Sequence, residues 1–587
     1  MTMKQLVLDY SRDALFDELG LKRLRDSYMK PEEKSPQERF AFVASEFGSD
    51  VAHAQRLYDY ASKHWLSFST PILAYGKDKK AMPISCFLPY MSDSAQGLVD
   101  TLSETNWLSM MGGGVGISIG IRATDGKSTG VMPHLKVYDA SCLAYKQGTT
   151  RRGSYAMYLD IDHPDIVQFL EMRKPTGDPN QRCLNLHHGI NISDKFMQKI
   201  EALMLDKNAD DSWELVNPSD GKVYEVVSVK ALWQKILELR MMTGEPYLHF
   251  IDTTNNAMPE HLKAKGLRCH GSNLCSEITL PQNETRTAVC CLSSVNLEYW
   301  DEWKEDPQFL HDVAEMLDNV LTRFIIDAPD SIERAVESAR AERSIGVGAL
   351  GFHALLQKKG LPFESPMATG LNRRIFKHIR EKLNDANTSL AGTRGCCPDA
   401  TQSGKQLRFS HLMAIAPNAS SSIIMGNTSP SIEPYRANAY RQDTLSGSSI
   451  NRNRFLDAVL NEYSVDKEEV WQSIVANDGS VQHFEWMSQY HKDVFKTAME
   501  IDQQWVIQHA ADRQQFIDQA QSVNLFFRPE DSIAYIHNVH FNAWKNGLKT
   551  LYYCRSEKLK KADSVNKKIE RIIINPNDDS GCLACEG

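Results

Sequence analysis

Between residues 35 and 65 apolar side chains return at every third or fourth position, in SPQERFAFVASEFGSDVAHAQRLYDYASKHW. That spacing predicts helices, and Ser35 with Glu38 has the form of a capping box at the first of them. Near residue 67 the texture changes. From there to about residue 555, short apolar runs alternate with longer amphipathic stretches. The runs GVGISIGI, HHGINIS, PYLHFID, AVCCLSSVNL, SIGVGAL, LMAIAP, SVNLFF and KTLYY predict strands, and several lead straight into helical patterns, as LMAIAP leads into NASSSIIMG. Segment 196–242 reads as mostly helical, broken by the turn-rich NPSDGK. The alternation predicts an α/β fold, as a barrel or an open sheet. The expected organisation is a helical region over 1–66, an α/β domain over 67–555 and a charged, mobile arm over 556–587 that ends in a cysteine pair.

Composition narrows the class. A chain of 587 residues, 42% hydrophobic, has ample material for a large core. The net charge of −9 argues against a nucleic-acid partner. The first twenty residues carry acids and no apolar core of a signal peptide, and no run reaches the roughly 18 apolar residues of a membrane span. The expectation is a soluble cytoplasmic protein with no membrane partner. Its 12 cysteines then serve as thiols, redox pairs or metal ligands rather than structural disulfides.

Five stretches carry candidate chemistry, each with a plainer reading beside it. SNLCSEITLP sets Asn273, Cys275 and Glu277 on one loop, where a thiol and a carboxylate can face one cavity. The alternative is a buried structural cysteine near a surface glutamate. Cys86 in PISCFLPYMSD and Cys290 in AVCCLSSVNL lie in or beside strand-like runs, which can bring two thiols together or merely pack them in a core. The terminal GCLACEG places Cys582 and Cys585 in a CxxC that can exchange disulfides or form half a zinc site, with Cys554 as a further ligand candidate. The arm before that pair has a reach of roughly 30 Å. APNASSSIIMG opens a helix with small hydroxyl residues, which suits either an anion or a simple N-cap. Tyr552 and Tyr553 are adjacent aromatics for packing or for passing an electron and a proton. GVGALG, residues 346–351, matches a dinucleotide fingerprint but lacks its βαβ context, because its only possible strand contains the glycines themselves. MGGGVGISIGIR, residues 111–122, hints at close backbone approach.

The order of these stretches, from Cys86 through GGGVG, NLCSEITLP, VCCLSSVNL, APNASSS and LYY to the terminal cysteine pair, resembles the large catalytic subunit of class I ribonucleotide reductases from about residue 25 to the end. The resemblance implies a ten-stranded α/β barrel with a central finger loop. It implies Cys275 as the residue that becomes a thiyl radical and abstracts the 3′ hydrogen of the substrate ribose. It implies Glu277 as general base and Asn273 as its orienting neighbour, with Cys86 and Cys290 as the reducing dithiol. Tyr552 and Tyr553 match a radical relay from a separate metal-containing small subunit. Cys582 and Cys585 match a tail pair reduced by thioredoxin or glutaredoxin. Ser69, Thr70, Ser85, Gly114, Pro417, Asn418, Ala419, Ser420 and Ser421 match the substrate site, with Asn418 standing where a hydroxyl residue is frequent. The substrates implied are ribonucleoside diphosphates.

The same resemblance implies an allosteric specificity site, taking a deoxynucleoside triphosphate or ATP with magnesium. Asp93, Arg122 and the loop KQGTTRRGSYA with Gln147 and Arg151 match its regions. Lys127 stands in for a second basic residue expected after Arg122. An effector-promoted homodimer follows. No N-terminal ATP-cone is expected, no resident metal and no cofactor held tightly in this chain. Two other readings remain: a class II, adenosylcobalamin-dependent reductase, against which LYY argues, and a non-catalytic nucleotide- or zinc-binding regulator.

Overall fold

The computed structural model describes residues 6–77, 82–145, 153–444 and 447–556, the side chains of 442–449 excepted. Its helical region contains α1 (Glu18–Ser27), α2 (Pro36–Phe47) and α3 (Val51–Ser62). Each begins on a side-chain cap: Asp17, Ser35 and Asp50 accept backbone N–H bonds from Gly20, Gln37 and His53. The capping box at α2 is displaced by one residue. Ser35 serves Gln37 at 3.1 Å, and the Glu38 carboxylate reaches back to the N–H of Lys34 at 2.7 Å.

Among the described residues sixteen strands follow in chain order: β1 (Leu66–Phe68), β2 (Cys86–Leu88), β3 (Tyr90–Met91), β4 (Gly114–Ile119), β5 (Tyr155–Asp160), β6 (His187–Ile192), β7 (Ser212–Val216), β8 (Val223–Ser228), β9 (Tyr247–Phe250), β10 (Ala288–Asn296), β11 (Ile345–Leu350), β12 (Ala439–Thr444), β13 (Gly447–Arg452), β14 (Leu525–Phe527), β15 (Thr550–Leu551) and β16 (Cys554–Ser556). Ten of them form one sheet in the order β1-β10-β2-β4-β5-β6-β9-β15, with β11 also on β10 and β3 on β4. The run β2-β4-β5-β6-β9 is parallel throughout. It is flanked antiparallel by β10 at one edge and β15 at the other.

Two irregular segments close the ring. Val347 on β11 donates its N–H to Leu412, Ile415 donates to Ala520 and Tyr552 donates to Val523. Residues 412–416 and 519–523 are therefore staves held by isolated bridges, Val347 to Met413 and Ile415 to Gln521. The barrel expected from the resemblance is present, in two halves that meet antiparallel.

The predicted strands GVGISIGI, HHGINIS, PYLHFID, AVCCLSSVNL, SIGVGAL, SVNLFF and KTLYY all contain strands here. LMAIAP does not become a regular strand. It makes single bridges only, Met413 to Val347 of β11 on one side and Ile415 to Gln521 on the other. The helical reading of 196–242 is corrected: NPSDGK is the turn of a hairpin, β7 against β8, between helices Asp194–Leu205 and Val229–Thr243. SWELV alternates exposed and buried positions, the two-residue period of a half-covered strand. The effector-loop motif also ends differently, since its last two residues, Tyr155 and Ala156, open the buried strand β5.

Candidate functional site

Residues 268–282 form a loop that enters the barrel and carries Cys275 at its tip. Gln282 N–H closes the base on the Arg268 carbonyl at 3.2 Å. At the tip, Ser276 takes a left-handed φ of +67°, and the Asn273 side chain accepts from Ile278 N–H at 3.1 Å. The loop lies so close to β4 that a Cβ on Gly116 would stand 2.1 Å from the Ser272 carbonyl oxygen. Only glycine leaves that space, which gives a cause to the glycine-rich hint at 111–122. Tyr158 of β5 donates to the Asn273 carbonyl at 2.7 Å and meets the Ser276 hydroxyl at 3.0 Å. Asn191 of β6 donates to the His270 carbonyl at 2.7 Å and to Asp160 at 2.8 Å. His249 of β9 lies 2.8 Å from the side-chain amide oxygen of Asn191, and burial lowers its pKa to about 3, so it is neutral.

Asn273, Cys275 and Glu277 are all fully buried. The two further thiols reach the same interior. Cys86 on β2 and Cys290 on β10 are direct partners in antiparallel register. Opposed Cα atoms in such a pair lie about 4.5–5.5 Å apart, inside the range of a disulfide. Asn273 Nδ2 donates to Cys86 Sγ at 3.1 Å. Cys291, next along β10, points the other way into the outer core, where burial raises its thiol far above the ordinary value. GVGALG falls on β11: a Cβ on Gly346 would meet Cys290 Sγ at 3.2 Å, so this glycine keeps room for a thiol and serves no dinucleotide.

The tyrosines lead outward from the finger tip. Tyr552 OH donates to Cys275 Sγ at 3.5 Å. Its ring lies 4.3 Å from that of Tyr553, and Tyr247 of β9 packs on both, at 4.8 and 5.2 Å. Burial, first of all, pushes the Tyr552 and Tyr247 phenols well above their usual range, so both hold their protons at rest. At the outer end, the Arg555 guanidinium stands 4.2 Å from the centre of the Tyr553 ring, and the phenol oxygen lies 3.4 Å from His187 Nδ1. Beside it, burial alone would raise the Glu245 carboxyl, but Arg173, His187 and His188 hold it well below the usual carboxylate range.

At one end of the barrel, Pro417 to Ser421 lead into the helix Ala419–Ile424, whose Ser420, Ser421 and Ser422 are buried. Asn418 adopts φ +55°. Its amide is spent internally, donating to the Ala349 and Ala416 carbonyls and accepting from the Ser294 hydroxyl. Ser294 faces Ser67 across β10 and β1, which carries the chain to Ser69 and Thr70 at the next turn. Ser85 precedes Cys86 and accepts from Gly114 N–H at 2.6 Å. The helical region reaches the same place: Arg23 of α1 donates to Ser420 at 2.9 Å, and Tyr28 meets Thr70 at 3.3 Å.

Asp93 and Arg122 meet in a setting unlike that of the buried thiols. Arg122 bridges Asp93 at 2.7 Å and Asp125 at 2.9 Å on a solvent-facing corner. Lys127 contributes its backbone N–H to Asp125 at 2.6 Å and leaves its side chain exposed. Gln147, Arg151, Cys582 and Cys585 lie outside the described residues. Cys554, the zinc-ligand candidate, is buried on β16 with its thiol 3.5 Å from the Met241 sulfur. Reasoning from the residues missed Ser522, Tyr158, Tyr247 and Arg23. Ser522 opened SVNLFF, and Tyr247 stood in PYLHFID, so each was seen only as part of a strand pattern.

Comparison with known proteins agrees with this geometry. A family model described as "Ribonucleotide reductase, barrel domain" matches residues 84–406 and 399–554, and "Ribonucleotide reductase, all-alpha domain" matches 14–81. The "Ribonucleoside-diphosphate reductase large subunit" of Invertebrate iridescent virus 3 is 50% identical, over 99% of this chain and 100% of its own. The Caenorhabditis elegans protein of that description is 30% identical, over 98% of this chain and 82% of its own. Among solved structures, the Actinobacillus ureae class Id ribonucleotide reductase alpha subunit superposes with a TM-score of 0.82 at 33% identity, covering 94% of this chain and 98% of that one.

Proposed function

The chain belongs to the ribonucleotide reductase large-subunit family, and from that premise we propose how its residues divide the work. It is the catalytic large subunit of a ribonucleoside-diphosphate reductase, acting with a separate small subunit and an external reductant to make deoxyribonucleotides. Cys275 accepts the radical through Tyr553 and Tyr552 and takes the 3′ hydrogen atom of the ribose. Glu277 takes the 3′-hydroxyl proton while Asn273 orients the sugar. The 2′-hydroxyl leaves as water on a proton from the Cys86–Cys290 dithiol. The dithiol then supplies two electrons and its second hydrogen, which goes to C2′, and closes as a disulfide; Glu277 gives its proton back to the 3′ oxygen, and Cys275 returns the hydrogen atom to C3′. A dry interior suits the reaction, because it keeps a thiyl radical from side reactions.

One observation carries this reading: one buried cluster holds Cys275 of the finger with Cys86, Cys290 and Tyr552 from three staves, and Asn273 and Glu277 are fully buried on either side of Cys275. The loop 417–421, Ser69, Thr70, Ser85 and Gly114 hold the diphosphate, with Arg23 adding charge. Cys582 and Cys585 exchange with the buried disulfide and are re-reduced by thioredoxin or glutaredoxin. The Asp93–Arg122 corner, with Gln147 and Arg151, receives the nucleotide effector and its magnesium. A homodimer is supported by apolar side chains exposed on the two helices that follow Asp93 and Arg122 in the chain, Val99 and Trp107 on the first and Val137, Leu143 and Tyr145 on and after the second. Among the described residues no helix is long and apolar enough to cross a membrane.

The test is reduction of the four ribonucleoside diphosphates with and without a candidate small subunit. Turnover should require the small subunit, and Cys275→Ser should abolish it with every reductant. Turnover with adenosylcobalamin and no partner would instead establish a class II enzyme.

A further inference from the structure

Ser522 lies on the irregular stave 519–523 and is fully buried. Its hydroxyl oxygen is 2.6 Å from the main-chain carbonyl of Cys275 and 3.1 Å from Glu277 Oε2. A hydroxyl has one proton to give and two lone pairs to receive with. A carbonyl oxygen only accepts, so the Cys275 contact is a hydrogen bond only when Ser522 donates to it. A carboxylate likewise only accepts, whereas a carboxylic acid can donate. Both contacts are therefore satisfied together only when Glu277 carries a proton and gives it toward Ser522. When Glu277 is ionised, the single Ser522 proton must serve one oxygen and desert the other. The same strand grips the finger once more, through Ala520 N–H to the Glu277 carbonyl at 2.9 Å.

We propose that Ser522 is a positioning residue that couples the protonation of Glu277 to the backbone holding Cys275, releasing that backbone while Glu277 is a base and fastening it once the base has taken its proton. The inference rests on the functional reading above and deepens it. The thiyl carrier is least restrained before proton uptake and most restrained while Glu277 holds its proton, the interval in which the 2′-hydroxyl leaves and the dithiol closes. No atom of Ser522 is consumed: its proton turns from one acceptor to the other as the Glu277 proton arrives or leaves. The titratable groups around this switch are Cys275 on the finger, Tyr158 from β5, Tyr552 from the β15 side, and Cys86 and Cys290 from β2 and β10. The Tyr158 phenol senses both Cys275 and Glu277, and burial holds it neutral.

The experiment uses the full chain with its small subunit and one ribonucleoside diphosphate, comparing the parent with Ser522→Ala and Ser522→Thr. Loss of the donor removes a hydrogen bond from the ionised carboxylate, so the acid limb of kcat/KM in Ser522→Ala should move up by about half to one pH unit. Its kcat should fall about tenfold or more, with KM for substrate unchanged because Ser522 is placed behind the reacting groups. Ser522→Thr, which keeps the hydroxyl, should hold the parent profile. Should the alanine variant not fold, Ser522→Cys, similar in size and a weak donor, is read the same way. An unmoved acid limb in the donor-poor variant, whatever its rate, overturns the coupling. So does an equal shift in the threonine variant. Parent turnover in the same assay tests the functional reading separately, and it stands or falls without Ser522.

Discussion

The finger tip and the Asp93–Arg122 corner use similar materials, a few polar side chains on loops, in opposite ways. At the finger, one loop is held by five neighbours: Gly116, Tyr158, Asn191, Ser522 and Tyr552. All five residues are buried, and together they hold the loop from its base to its tip. At the corner, one guanidinium bridges two carboxylates in contact with solvent. Exposed ion pairs of this kind contribute little to stability and are easily exchanged for a ligand's charges. The difference teaches where rigidity belongs. Hydrogen abstraction needs fixed distances, since a 1 Å misplacement can cost about 10²-fold in rate. A surface that exchanges effectors needs contacts that open.

The severest attack on the rigid region is Gly116→Ala. The new methyl group would overlap a backbone carbonyl, which cannot rotate away as a side-chain end could. Either β4 or the finger must shift. The expected result is a rate loss on the order of 10²-fold, together with about 1–3 kcal/mol of destabilisation. Single-turnover product formation and a denaturant titration measure the two effects. Parent-like values in both would mean that the finger tolerates displacement and that its many ties do not set the chemistry.

A second test acts at the base of the finger. Asp160 is fully buried and accepts from Asn191, and desolvation raises its pKa from 3.8 to about 6. The native state thus holds this proton more tightly than the unfolded chain. Asp160's contribution to stability is greatest below pH 4, is lost as pH rises toward 6, and stays constant above. The loss is at most about 3 kcal/mol, from the size of the shift. Asp160→Asn keeps an acceptor for Asn191 and removes the charge. It should flatten the stability difference between pH 4 and pH 7.5, read as urea midpoints. An unchanged pH slope would place the sensitivity elsewhere.

Legibility in the sequence followed the same divide. The parallel half of the barrel was visible because fully covered strands leave apolar runs, as at GVGISIGI and HHGINIS. The other half was visible through motifs more than through pattern, since the staves 412–416 and 519–523 make single bridges. Cys86 and Cys290 could be named as strand thiols, but their exact opposition depends on pairing across some 200 residues, and no local signal encodes it. Ser522 and Arg23 stayed hidden for the same reason. Each acts on a partner hundreds of residues away, and a lone serine or arginine has many ordinary uses. The hairpin β7–β8 was missed although SWELV alternates, because helical patterns on both sides dominated the segment.

The mildest perturbation is Arg122→Ala. Arg122 is solvent-facing and its two carboxylate partners are well hydrated, so the thermal midpoint should match the parent's. Basal turnover without effector should also be unchanged, because none of the finger's ties runs through this corner. What should change is the response: substrate preference with each deoxynucleoside triphosphate should flatten toward the effector-free ratio, and effector binding measured by calorimetry should weaken. The reverse pattern, altered basal turnover with an intact effector response, would mean that the corner helps to hold the barrel. The contrast between a fixed interior and an exchangeable surface would then fail at its weaker end.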